Sequence, residues 1–316
     1  MNVESFNGPL LIYGVARSGT TYLLDIINNF PGVRLVFESD IIAPAWKMYR
    51  EEEVLKDRQS FDKFLKKLSD IDRGTNLQSL TPLFTQPKEC YDRLYEQLLA
   101  HRSFSSFVKE LYTGLAEDPN IWGDKSADLS QIPIICELFP KAKFIFIIRD
   151  VRDVVCSFKA HSGVNYYSIS LLWVSFARLA KTFSEKRGNG NSLIIQYENL
   201  VSKPKEISKQ IGDFIGRDVS LDTPILEKAH NKSIGKWRHC LSQHEVRLIE
   251  ELAFVEMKTY GYTPLVAKRR KRINWVFYGL CLVQHAGMLL WRRRALWKQV
   301  FSVRAARKYL GAYRGW

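Results

Sequence analysis

Apolar residues along this chain fall into short consecutive runs separated by amphipathic stretches. Pro9 precedes such a run, Leu10 to Tyr13, which is read as a strand, and Gly14 to Gly19 form a loop. Thr20 to Phe30 carries Leu23, Leu24, Ile26 and Ile27 at helical spacing until Pro31 and Gly32 stop it, and Val33 to Phe37 is read as a second strand. A strand, loop, helix and strand in this order have about the length of a parallel crossover. Two more runs are rich in β-branched or aromatic residues, KFIFII (Lys143 to Ile148) and SLIIQ (Ser192 to Gln196). The first is apolar at consecutive positions, as a strand covered on both faces must be. Between residues 45 and 118 the pattern is helical and polar, as in EEEVLKDRQSFDKFLKKL and CYDRLYEQLLA, and predicts a helical insertion beside the sheet. Helices are expected again from Lys205 to Ile215 and from Gln243 to Tyr260. The alternation predicts an α/β fold with a parallel sheet flanked by helices.

Composition adds where the charge lies. The chain has 316 residues, 46% hydrophobic and 13% aromatic, which excludes a disordered polyelectrolyte. Its net charge of +14 comes from 47 Lys and Arg against 33 Asp and Glu. Residues 268–316 hold 13 of the basic side chains and no carboxylate, which leaves 34 basic against 33 acidic residues before them. The excess therefore belongs to the carboxy-terminal segment, and nucleic acid is not expected as a partner of the body. Residues 1–265 are expected to form one domain that carries the 45–118 helical insertion, and 266–316 a basic amphipathic helical tail. KRRKR (268–272) and RRR (292–294) flank a stretch weakened for membrane spanning by Asn274, Gln284 and His285; residues 295–313 then mix Leu296, Val300, Phe301 and Leu310 with Arg304, Arg307 and Lys308. That pattern favours a helix lying on an anionic membrane over a span. Packing of the tail on the body or across a homo-oligomer is the alternative. The five cysteines are scattered and form no C-x-x-C pair, and no cluster of metal-ligating residues is visible. The first residues, MNVESFNGPLLIYG, lack the basic and apolar regions of a signal peptide, so a cytoplasmic setting at the inner face of a membrane is expected.

Two segments carry candidate chemistry. GVARSGTTYL (Gly14 to Leu23) places small residues between a strand and a helix, where free backbone N–H groups and the helix dipole receive an anion. Gly14 and Gly19 have the Walker spacing, but Thr20 stands where the Walker lysine would be and Arg17 supplies a cation instead. In FIFIIRDVRDVVCSF (Phe144 to Phe158), Arg149 ends a strand and Ser157 lies two turns into the next helix, so the two suit one phosphate. The alternative is a surface ion-pair cluster of Arg149, Asp150, Arg152 and Asp153.

Together these segments resemble the PAPS-dependent sulfotransferase family, PAPS being 3′-phosphoadenosine 5′-phosphosulfate. Arg-Ser-Gly-Thr-Thr at 17–21 is similar to that family's 5′-phosphosulfate loop, and Arg149 to Ser157 to its R-D-P-R-D-V-x-x-S segment, with Val151 in place of proline. IIQYENLVSKP (Ile194 to Pro204) and IGKWRHCLS (Ile234 to Ser242) resemble its two later motifs. The resemblance implies a P-loop-NTPase-like core that binds PAPS as sulfate donor without a metal. Arg17, Ser18, Gly19, Thr20 and Thr21 would hold the 5′-phosphosulfate, and Arg149 and Ser157 the 3′-phosphate. Tyr197 would lie near the adenine, and Lys236, Trp237 and Arg238 would close over the donor, although Trp237 equally suits a core tryptophan. PGVRLVFESDI (Pro31 to Ile41) resembles the glutamate-base branch, which includes tyrosylprotein and bacterial sulfotransferases; it implies Glu38 as catalytic base, with Asp40 where that branch tends to have arginine. Lys125, following a short strand-like stretch, would be the second catalytic cation beside Arg17. Lys-Ser-Ala at 125–127 lacks the histidine base of the small-molecule branch, and His161 is the reserve. The acceptor is expected to be a hydroxyl or amine of a small molecule, glycan, glycolipid or other amphiphile. The competing readings are a nucleotide-dependent phosphotransferase on the same core and a non-enzymatic adaptor for membranes or polyanions.

Overall fold

A computed structural model of the chain describes residues 6, 8–51, 57–74, 92, 94–96, 103–115, 120–162, 166–188, 190–218, 224–227 and 233–266. Strands β1 (Gly8–Gly14), β2 (Val33–Phe37), β3 (Ile121–Ser126), β4 (Lys143–Ile148) and β5 (Ser192–Gln196) form one parallel sheet in the order β2-β3-β1-β4-β5. In register, Gly8 to Tyr13 of β1 run beside Ile121 to Ser126 of β3, and Val33 to Phe37 of β2 beside Ile121 to Lys125. Apolar runs located β1, β2, β4 and β5, although β1 extends beyond the Leu10 to Tyr13 run to Gly8–Gly14, and β3 was visible only in part. That strand reads IWGDKS and runs through Lys125, which therefore lies within it instead of following it. Asp124 and Lys125 disguise β3 in sequence because both are buried with dedicated partners. Gly123 is required there, since an added Cβ would sit 2.0 Å from the Leu10 carbonyl oxygen of β1.

The first helix ends earlier than its apolar spacing suggests, spanning Thr20–Ile27. Asn28 has another use: its amide accepts from Leu35 N at 2.7 Å and donates to Leu35 O at 3.0 Å. These bonds cover the main chain of the edge strand β2, which would otherwise present unpaired groups.

The chain divides into two compact units. One contains Met1–Tyr13, Leu24–Ile145 and Lys209–Ser220. Its core is made by Leu10, Leu11 and Ile12 of β1, Val33, Leu35, Ile121, Trp122 and Phe144. The expected insertion is helical where described, with Ile42–Glu51, Arg58–Gly74 and Phe104–Leu115. These helices meet through rings, Phe61, Phe64 and Phe107 together and Phe104 against Trp46 and Tyr49.

The other unit contains Gly14–Leu23, Phe146–Ser208 and the described residues from 224 to 266. Helix Tyr166–Arg187 packs beside helix Gln243–Thr259, burying Trp173, Phe176, Ala177, Ile249, Ala253 and Met257. A capping box starts the latter helix, with Ser242 accepting from Glu245 N and Glu245 accepting from Ser242 N. The basic segment 268–316 lies outside the described residues. Among the described residues, no helix is long and apolar enough to cross a membrane.

Candidate active site

The anion cradle is built where β1 passes into the first helix. Gly14 has no room for a side chain, because an added Cβ would lie 2.5 Å from Thr20 Cγ2 and 2.6 Å from Ile147 Cγ2. Gly19 has φ +89°, and its Cβ would strike the Tyr197 ring at 2.3 Å. Arg17 adopts the left-handed conformation with φ 71°, which a non-glycine residue holds only under external constraint.

That constraint comes from the second motif. Arg149 donates from Nη1 to the Arg17 carbonyl at 2.8 Å and from Nη2 to the Ser233 carbonyl at 2.6 Å. Its guanidinium lies over the Tyr197 ring at 4.5 Å, and its own carbonyl accepts from Trp173 Nε1 at 2.8 Å. Arg17 Nε donates to Ser157 Oγ at 3.0 Å. The structure thus brings together Arg17, Ser157, Arg149, Tyr197 and Gly19. Ser18 Oγ and Arg149 Nε are buried and make no hydrogen bond among the described residues. A buried polar atom without a partner costs free energy unless a ligand supplies one. Two guanidinium groups, a spare hydroxyl, a spare N–H and a helix N-terminus fit phosphate groups. Thr20 is buried and Thr21 exposed at the same helix start.

The acidic and basic residues around Arg149 form a buried network, which corrects the reading of them as a surface cluster. Asp150, Arg152 and Asp153 are 7%, 5% and 2% exposed. Arg152 forks onto Asp150, with Nε and Nη2 at 3.0 and 2.6 Å, and reaches Glu250 at 2.7 Å. Asp150 N donates to Glu198 at 3.0 Å, whose other oxygen accepts from Tyr262 OH at 2.8 Å. Burial pushes the Glu198 carboxyl above the usual carboxylate range, and those two donors partly offset it. Asp153 accepts from Gly235 N at 2.7 Å and Trp237 N at 3.0 Å, fastening the late loop to the phosphate-motif helix; burial likewise raises its pKa. Trp237 is buried, with the Arg152 and Arg238 guanidinium groups 4.0 and 4.6 Å from its ring, so it packs as a core tryptophan would. Lys236 and Arg238 are exposed beside it. Glu198 and Glu250 were not singled out by sequence; Glu198 adjoins Tyr197 in a recognised motif, whereas Glu250 looks like any helical carboxylate.

The second cluster lies in the other unit, at the carboxyl ends of β2 and β3. Glu38 follows β2 with φ 48°, its N–H donates to the Lys125 carbonyl at 2.8 Å, and its carboxylate is paired with Lys125 Nζ. The lysine side chain is 6% exposed and that of Glu38 is 35% exposed, so the carboxylate retains access to solvent while the ammonium is enclosed. Lys125 Nζ also lies 4.2 Å from the centre of the Phe37 ring. Asp40 accepts from Ser126 Oγ at 2.6 Å and Gln131 Nε2 at 3.3 Å. Lys125 is thus not a solvated lysine, and Glu38 is not an isolated loop carboxylate. The side chain of His161 lies outside the described residues.

Residues 9–220 match the profile of the Sulfotransferase family. A putative protein-tyrosine sulfotransferase of Caenorhabditis briggsae is 22% identical over 281 residues, covering 79% of this chain and 88% of that protein. One of Caenorhabditis elegans is 25% identical over 193 residues, covering 52% of this chain and 74% of the other. Among solved structures, the sulfotransferase domain from the curacin biosynthetic pathway superposes with a TM-score of 0.50 at 14% identity, over 82% of this chain and 99% of that one.

Proposed function

Because the chain belongs to the sulfotransferase family, we propose that it moves the sulfuryl group of PAPS to a hydroxyl or amine of an acceptor such as a glycan, a glycolipid or another amphiphile. The observation that carries the donor assignment is the joining of two motifs 140 residues apart, Arg17 to Ser157. Arg149 and Ser157 would hold the 3′-phosphate, and Ser18, Gly19, Thr20 and Thr21 with Arg17 the 5′-phosphosulfate. When bound, PAPS supplies an electrophilic sulfuryl group on a phosphate leaving group. Transfer of this kind is governed by positioning and by charge placed at the departing oxygens. Arg17 and Lys125 supply that charge. Glu38 takes the proton of the acceptor.

Thr20, where a Walker lysine would stand, disfavours the phosphotransferase reading. Transfer of ³⁵S from PAPS to lipid and glycan extracts tests the activity, and binding of adenosine 3′,5′-bisphosphate against ATP with magnesium tests the donor. Glu38→Gln should bind the bisphosphate normally and lose transfer by about a hundredfold or more, as loss of a general base does. Full transfer by that variant would refute the base. A non-enzymatic adaptor would show no transfer at all.

The tail, residues 268–316, is proposed to hold the enzyme at an anionic membrane surface on the cytoplasmic side, each basic residue contributing about 1 kcal/mol at low salt. The full chain should sediment with phosphatidylserine vesicles and be released by salt. Retention in the supernatant with a doubled mass would point instead to self-association.

A further inference from the structure

The chain leaves β2 through a turn that L residues adopt only under constraint. Glu38 has φ 48° and Asp40 φ 47°, two left-handed non-glycine residues separated by Ser39. Three successive N–H groups of this turn are taken by β3. Glu38 N donates to the Lys125 carbonyl, Ser39 N to Asp124 Oδ1 at 3.3 Å and Asp40 N to Asp124 Oδ2 at 3.4 Å. The Ser39 hydroxyl also donates to Asp124 Oδ2, and Tyr112 OH reaches the same oxygen at 3.3 Å and Ser39 Oγ at 2.6 Å. One dipeptide of β3 thus does two things: Lys125 pairs with the side chain of Glu38, and Asp124 holds the backbone that carries it.

We infer that Asp124 is a positioning residue for the base, fixing the turn that presents Glu38 and acting on sulfuryl transfer through Glu38. This rests on the assignment of Glu38 as base. Asp124 is 1% exposed. The groups around it are Ser39, Tyr112 and Tyr13, with Asp40 as a neighbouring like charge. Burial first, then Asp40, pushes its carboxyl up to about 7, against the pull of the Ser39 hydrogen bonds. An acid so placed works against the stability of the fold when ionised. Its place in the structure is explained by the three-residue turn it organises.

The test is a double-mutant cycle on the full chain, combining Asp124→Asn with Glu38→Gln. Transfer rate, KM for PAPS, calorimetric affinity for adenosine 3′,5′-bisphosphate and Tm are read for each variant. Asp124→Asn should lower kcat about tenfold or more while leaving bisphosphate affinity and KM for PAPS within about twofold. In the Glu38→Gln background the same change should cost nothing further, because the group it positions is gone. Ser39→Ala, which deletes the hydroxyl contact and keeps both N–H contacts, should give a smaller loss with the same dependence on Glu38. It also keeps the question answerable if Asp124→Asn folds poorly. Losses that multiply, or a bisphosphate affinity that falls in step with kcat, would make Asp124 a general support of the fold and overturn the inference. If Glu38→Gln alone retains full transfer, the base assignment falls first and the positioning role with it.

Discussion

Arg149, at the end of β4, donates a hydrogen bond to the main-chain carbonyl of Arg17 at 2.8 Å. The residue it grips has φ 71°, so this arginine fixes the strained corner of the loop between β1 and the first helix. Arg149→Ala removes two carbonyl contacts, the stack on Tyr197 and a charge. A hydrogen bond to a charged group contributes about 1.5–3 kcal/mol, so affinity for adenosine 3′,5′-bisphosphate should fall roughly ten- to a hundredfold. Arg149→Lys should recover little, because one ammonium cannot fork to Arg17 and Ser233 while stacking on a ring. Calorimetric titration measures both, and an unchanged affinity in Arg149→Ala would refute the 3′-phosphate assignment.

Two glycines with positive φ separate strain from cradle geometry. Gly19→Ala meets Tyr197 at 2.3 Å, whereas an alanine at Gly188, with φ +75°, has nothing within 4 Å. Gly188→Ala should therefore cost only the left-handed penalty of about 1–2 kcal/mol, seen as a lower Tm with bisphosphate binding intact. Gly19→Ala should cost as much in stability and also displace Tyr197, so binding falls as well. Equal binding by the two variants would mean that Tyr197 does not brace the loop.

How much of this was legible in sequence follows from where each signal resides. β1, β2, β4 and β5 are apolar runs whose composition states their burial, and the cradle glycines are local requirements of a strand-to-helix turn. β3 escaped full recognition because Asp124 and Lys125 are made compatible with burial chiefly by Ser39 and Glu38, 85 and 87 residues earlier, with Tyr112 of the preceding helix joining them. The same distance hid Glu250, whose partner Arg152 is 98 residues earlier. Asn28, read as part of a helix, instead serves the edge strand β2. Resemblance singled out Glu38 as a candidate base, yet nothing local announced the left-handed turn on which it stands.

Glu250 offers a test of the buried network. It accepts from Arg152 at 2.7 Å and from Leu265 N and Val266 N at 2.7 and 3.0 Å. Removing one partner of a buried ion pair generally costs about 3–5 kcal/mol. Asp150 still satisfies part of Arg152, which puts Glu250→Ala near the lower end. The loss should appear as a Tm lower by several degrees. Glu250→Gln should recover only part of it: its single amide oxygen can still accept from Leu265 N and Val266 N, but its NH2 then faces the Arg152 guanidinium. If Glu250→Ala melts with the parent chain, the network is not stabilising the motif helix.

Asp124 makes the stability of the chain depend on pH in a direction opposite to that of a salt-bridged carboxylate. Its carboxyl is raised from an ordinary 3.8 to about 7, by burial and then by Asp40. Between those values the folded chain retains a proton that the unfolded chain has released. The stability this contributes is fully present below about 3.8 and is lost as pH rises through about 7. Asparagine does not titrate. The difference in Tm between Asp124→Asn and the parent should therefore move in favour of the variant from pH 5 to pH 8 and level off above. Other titrating groups cancel in this difference, whose full span is of the order of a few kcal/mol. Asp40→Asn, made in the parent, removes the like charge and should shift the pH-dependent span downward. Differential scanning calorimetry across that range decides it: a constant gap would show that Asp124 ionises as an ordinary carboxylate and that burial and Asp40 have no hold on it.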